Sequence, residues 1–226
     1  MKVYHGTALS HLPNILVQGV QPRRETKAYG NWEVHSNADA VYLTDCYGIY
    51  FARHASEKDD TNVGVVLEIE TEALEPNALA FDEDVLEQFG RKTDLVPGDV
   101  KQRTSHYRSV LRDFTGLERF RESLGLAGTA SYLGGIPASA ITRYATIAFN
   151  DEEQAALRYM LIDTSPAATG FVINGPAHRL LTRWLFEGTF PSSDLMNDDE
   201  KMGAFGLYPL QERLTRSGVE VIFMNK

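Results

Sequence analysis

Hydrophobic and polar positions alternate from the first residues of the chain. Over residues 2 to 5, Val3 and His5 fall on one side and Lys2 and Tyr4 on the other, the two-residue period of a strand. Gly6 ends that pattern. In HLPNILVQGVQP the period lengthens: Pro13 suits a first helical turn, Leu12, Ile15 and Leu16 share a face, and Gly19 suits the C-terminal cap. The stretch from Pro22 to Ala38 is polar and rich in turn formers. It leads into AVYLTD, where Val41 and Leu43 oppose Tyr42 and Thr44, a second strand. Asp45 is the expected N-cap of a helix over CYGIYFARHA. VGVVLEIE is the clearest strand, with Val65, Leu67 and Ile69 toward a core and Glu68 and Glu70 opposite, beside or outside a cleft.

Further along, FDEDVLEQF and VLRDFTGLERFRESLGL read as helical pieces around a turn at Pro97 and Gly98, and TASYLGGIPASAITRYATIAF as two strands around Gly134, Gly135 and Pro137. After Asn150, DEEQAALRYML and PAHRLLTRWLFEG are helical in pattern, with an apolar stripe of Leu180, Leu181, Trp184 and Leu185 that Gly188 ends. A helix over PLQERLTRSG then feeds the alternating strand VEVIFM. The pattern predicts an α+β protein: a core domain over residues 1–150 and a mainly helical C-terminal extension over 151–226 that packs on the core and ends in a strand.

Composition narrows the function classes. A chain of 226 residues with 43% hydrophobic content can bury a core. MKVYHGT lacks the layout of a signal peptide, and no apolar run reaches the ~18 residues of a membrane span; a cytoplasmic protein without a membrane partner is expected. The single cysteine, Cys46, has no partner for a disulfide and no spaced His/Cys set for a metal, so it is read as structural and no metal is expected. The formal charge of −9 argues against a nonspecific nucleic-acid coat. A local basic run remains in KQRTSHYRSVLR, where Lys101, Arg103, Arg108 and Arg112 meet no acid before Asp113 and His106 and Tyr107 are interleaved. The same run reads equally well as a solvated loop and helix face.

The ordered motifs YHGT and NILVQGVQP resemble the opening of the ADP-ribosyltransferase superfamily, in which a His-Gly-Ser/Thr strand end precedes a short helix closing on a glycine turn. Here the residues are His5, Gly6, Thr7, Ile15, Leu16 and Gly19. AVYLTD looks like the family's tyrosine-bearing second strand and VGVVLEIE like its third. SYLGGIPASAI is similar to the late strand and Ile-Pro segment of DarT toxins and RNA 2′-phosphotransferases. The likeness covers residues 2 to about 145 and extends to poly-ADP-ribose polymerase catalytic domains. It implies a split mixed β-sheet surrounded by helices, with NAD⁺ as co-substrate.

Carried over residue by residue, the resemblance implies that His5 bonds the adenosine ribose, Gly6 offers its backbone to the nicotinamide amide, Thr7 supports the turn and Tyr42 stacks on the nicotinamide ring. Tyr50, in GIYFA, competes for the tyrosine role. Tyr42 is preferred, because from it to VGVVLEIE there is room for the intervening helix, and Tyr50 would line the pocket from that helix. Aligning SYLGGIP with the family puts Ser131 where a glutamate normally contacts the nicotinamide ribose. Serine carries no charge to set against an oxocarbenium ion, which argues against polymer elongation. A carboxylate from elsewhere is an alternative: Glu68 or Glu70, or Asp82, Glu83 and Asp84, each of which also reads as an ordinary solvated acid.

In the family, the segment before the third position selects the acceptor. Lys101, Arg103, Tyr107, Arg108 and Arg112 fall there, and arginines interleaved with an aromatic suit a nucleic-acid acceptor slightly better than a protein. The expected function is a mono-ADP-ribosyltransferase, in the manner of a toxin or phage-conflict factor, with room for an antitoxin or other partner protein. An NAD⁺-using RNA 2′-phosphotransferase and a catalytically degenerate NAD-binding module are the alternatives.

Overall fold

The computed structural model describes residues 1–26, 36–59, 61–86, 98–149, 171–188, 196 and 220–224. Among the described residues, seven strands build one sheet: β1 (Lys2–Ala8), β2 (Ala40–Thr44), β3 (Val63–Glu70), β4 (Leu79–Ala80), β5 (Thr129–Leu133), β6 (Ile141–Ala148) and β7 (Glu220–Phe223). Their order is β4-β5-β2-β1-β3-β6-β7. The fold class is α+β. Every strand pairing is antiparallel, where a mixed sheet was expected.

The pairings are unequal. β1 runs beside β3 along its whole length, from Lys2 opposite Glu70 to Ala8 opposite Gly64. Among the described residues, β1 meets β2 only at Tyr4 opposite Thr44. Beyond that pair the ladder stops, and the sheet divides into a β4-β5-β2 part and a β1-β3-β6-β7 part joined at one seam.

Both sheet faces are covered. On one, Val3, Val41, Leu43, Val65, Leu67 and Ile69 pack against Leu12 and Ile15 of α1 (Leu12–Gln18) and Phe120 and Leu124 of α5 (Leu117–Ala127). On the other, Tyr4, Val66, Ala145 and Ile147 pack against Ile49 and Ala52 of α3 (Gly48–Ser56) and Leu180, Leu181, Trp184 and Leu185 of α6 (Phe171–Glu187). Each fully buried aliphatic side chain contributes about 1.5–3 kcal/mol. The predicted apolar stripe of the C-terminal region is therefore part of the second core layer, and β7 extends the sheet from β6. No helix among the described residues is long and apolar enough to cross a membrane.

Local chemistry departs from expectation at three places. The N-terminus of α3 is held by Thr44, whose Oγ1 accepts from the Cys46 and Tyr47 amides at 3.1 and 2.8 Å; Asp45 instead pairs with Arg179 of α6 at 2.7 Å. VLRDFTGLERFRESLGL breaks in two: a 3-10 turn over Leu111–Phe114 follows α4 (Val100–Val110), Thr115 bridges to Ala80, and Gly116, at a φ of 104°, is the N-cap of α5. The N-cap of α4, Asp99, forms a reciprocal capping box with Gln102. A short helix, α2 (Arg23–Thr26), lies in the segment expected to be irregular. The helices expected over DEEQAALRYML and PLQERLTRSG lie outside the described residues, as does Pro97 of the expected turn.

Candidate functional site

At the seam the His5 ring reaches the main chain of Tyr42, while the Tyr42 side chain alternates to the face opposite that of Val3, His5, Val41 and Leu43. The His5 Nδ1 lies 3.0 Å from the Tyr42 carbonyl oxygen. A carbonyl only accepts, so Nδ1 carries the proton and donates it. Loss of solvation on burial holds the His5 ring below its ordinary value near 6.5, outweighing the opposing effect of the Tyr42 bond. The ring is neutral near pH 7, which leaves Nε2 as an acceptor, and an acceptor suits a ribose hydroxyl.

The Tyr42 phenol is anchored at its far end. Its hydroxyl donates to Glu83 Oε1, and the Asn37 amide donates to both the Tyr42 oxygen, at 2.8 Å, and Glu83 Oε1, at 2.7 Å. Burial first, and then the negative charge of Glu83, push the phenol well above its usual range, so it stays protonated. Glu83 is completely buried. Arg108 of α4 brings its Nε to 3.8 Å from Glu83 Oε1. Among the described residues the second carboxyl oxygen, Oε2, has no hydrogen-bond partner, and neither do Nε and Nη2 of Arg108.

Ser131 sits opposite Tyr42 in the β2/β5 ladder and so on the same face. It is fully buried, and its hydroxyl donates to the Phe81 carbonyl at 2.7 Å. Ser123 of α5 accepts from the Asp82 amide at 3.0 Å. These two bonds tie down the chain entering the helical turn at 83–86 and fix where Glu83 stands.

The other residues singled out in the sequence have different surroundings. Gly6 lies under α3, where a Cβ would come within 2.3 Å of the Ala52 nitrogen and 2.4 Å of the Gly48 oxygen. Its lack of a side chain is thus required by helix packing, whatever it offers a ligand. Thr7 is buried opposite Val65. Tyr50 is buried in the second core layer, edge-on to His54 and His178 at 4.5 and 6.3 Å between ring centroids. Cys46 is fully buried.

The basic run does not form one patch. Lys101 and Arg112 are exposed. Arg103 donates to the Gly98 carbonyl, Tyr107 is buried, and Arg108 faces Glu83.

The acids differ from the solvated reading too. Glu68 is buried and bonded to Arg143 at 2.7 Å, to Thr142 at 2.7 Å and to Lys2 at 3.1 Å. Asp82 is buried, and burial together with the charges of Asp84 and Glu83 pushes its carboxyl up. Glu70 is partly exposed, 3.8 Å from the N-terminal ammonium. Comparison with protein-family models and with curated proteins returns no match.

Proposed function

We propose that this protein is a mono-ADP-ribosyltransferase that takes NAD⁺ as co-substrate and transfers one ADP-ribose to a macromolecular acceptor in the cytoplasm. The observation that supports this reading most is the His5 imidazole seated on the Tyr42 carbonyl where the sheet divides. An open seam gives a dinucleotide a groove between two strands, and the neutral Nε2 of His5 is an acceptor for a ribose hydroxyl. With its hydroxyl committed to Glu83, Tyr42 has its ring to offer, which suits stacking on a flat heterocycle.

In the reaction the bond between C1′ of the ribose and the nicotinamide nitrogen breaks, and its electron pair leaves with nicotinamide. C1′ passes through an oxocarbenium-like state, and an acceptor nucleophile adds there and gives up its proton. The protein's part is to fix the ribose and favour the positive charge as it develops. The dispersal of the basic run leaves nucleic acid and protein as equal candidates for the acceptor.

Labelled NAD⁺ with cell extract, followed by separate recovery of nucleic acid and protein, tests the proposal. Label is expected in one fraction together with nicotinamide release, and His5→Ala and Tyr42→Ala are expected to lose at least about 100-fold in rate while remaining folded by circular dichroism. A wild-type protein that neither binds NAD⁺ by calorimetry nor releases nicotinamide overturns it.

A further inference from the structure

The resemblance leaves the site without its acid, since Ser131 stands at the glutamate position and its hydroxyl is spent on Phe81. Of the carboxyl groups weighed in its place, Glu68 is bonded by Arg143, Thr142 and Lys2, and Glu70 lies beside the N-terminus. Asp82 is buried with one oxygen accepting from the Asp84 amide at 2.9 Å. Glu83 alone among them bonds Tyr42. It reaches that point because Ser131 and Ser123 fasten Phe81 and Asp82 immediately before it.

Resting on the ADP-ribosyltransferase reading, we propose that Glu83 is the catalytic carboxylate of this site, delivered by the turn after β4 instead of by β5. The two oxygens divide the work. Oε1 takes hydrogen bonds from Tyr42 and Asn37 and fixes the phenol. Oε2 is buried with no partner among the described residues, and a polar oxygen kept so costs free energy that a ligand hydroxyl or a developing cation recovers. As the C1′ to nitrogen bond lengthens and its electrons pass to nicotinamide, the positive charge on the ribose falls next to this oxygen, with no proton or bond transferred to Glu83. Arg108, at 3.8 Å from Oε1, sets a guanidinium beside the carboxyl. Ser131 is a positioning residue in this scheme, acting through the Phe81 carbonyl.

Glu83→Gln separates charge from geometry, since its amide oxygen still accepts from Tyr42 and Asn37. Nicotinamide release from NAD⁺ and NAD⁺ affinity by calorimetry are measured on wild type, Glu83→Gln and Glu83→Asp. Expected are a rate at least about 100-fold lower in Glu83→Gln, affinity within about threefold of wild type, and partial recovery of rate in Glu83→Asp. Glu83→Gln turning over within about threefold of wild type overturns the proposal, as does a loss confined to affinity. If wild type itself releases no nicotinamide, the ADP-ribosyltransferase reading falls and the role of Glu83 with it; an active wild type beside an active Glu83→Gln removes only the latter. Should Glu83→Gln fail to fold, Ser131→Ala gives the second reading: displaced Phe81 is expected to lower the rate about tenfold with affinity retained, and an unchanged rate overturns the proposal.

Discussion

Glu68 and Glu83 are both buried glutamates beside an arginine, yet their surroundings differ. Around Glu68 both oxygens are engaged: Arg143 and Thr142 at 2.7 Å, Lys2 at 3.1 Å. Arg143 in turn donates to the Phe186 carbonyl at 3.1 Å and lies 4.9 Å over the Phe186 ring, linking β3, β6 and α6. Around Glu83, among the described residues, one oxygen is engaged and the other is not. A carboxyl with both oxygens bonded ties elements together even though Arg143 Nε lacks a hydrogen-bond partner among the described residues, while one with an unbonded oxygen at the same depth is less tightly held. On the role proposed for Glu83, the contrast separates a carboxyl that holds the fold from one that serves a ligand.

The largest effect is expected where the Glu68 network is broken. Arg143→Ala leaves Glu68 with Lys2 and Thr142 alone, and should cost roughly 3–5 kcal/mol in chemical denaturation, toward the lower end because those partners remain. The variant that survives should still bind NAD⁺. Loss of binding at unchanged stability would reverse the roles assigned to the two acids.

A smaller loss is expected at the floor of the seam. Gly6→Ala drives a Cβ into the backbone of α3, which has no side chain to swing aside, and should lower stability by roughly 1–3 kcal/mol. A thermal midpoint equal to wild type would mean that α3 yields freely and that the glycine serves a ligand alone.

The smallest effect is a pH dependence. The folded-state value of His5 is depressed, so its contribution is complete above the ordinary value near 6.5 and is lost as pH falls through the lower folded value. Protonation also turns Nε2 from acceptor to donor. NAD⁺ affinity should be flat from about pH 8 to about pH 6.5 and weaken below, whereas His5→Gln should show a shallower acid limb. The difference between the two titrations sets aside His54, which burial also depresses. Parallel acid limbs in both proteins would remove His5 from the binding step.

The strands were legible because alternation is a local property: β1, β2, β3, β5 and β6 all carry it in their own residues. Alternation also misled. It set Glu68 and Glu70 against Val65, Leu67 and Ile69 and so implied a wet face, but α3 and α6 cover that face, and α6 lies more than 100 residues along the chain. Asp45 does not cap α3, whose N-cap is Tyr47 with no side-chain cap, because it is taken by Arg179, equally distant in sequence. His5 and Tyr42 were found as motif residues, while their contact through a main-chain carbonyl has no side-chain signature. Glu83 was one acid among three in FDEDV, and only its approach to Tyr42, 41 positions away, sets it apart from Asp82 and Asp84.

The seam between β1 and β2 has a consequence for how the sheet holds together. Because one residue pair joins the two parts of the sheet, few main-chain bonds cross there, and the apolar layer shared by Val3, Val41, Leu43 and Val65 carries the join. The join between the two halves therefore depends on side-chain packing more than on main-chain hydrogen bonds.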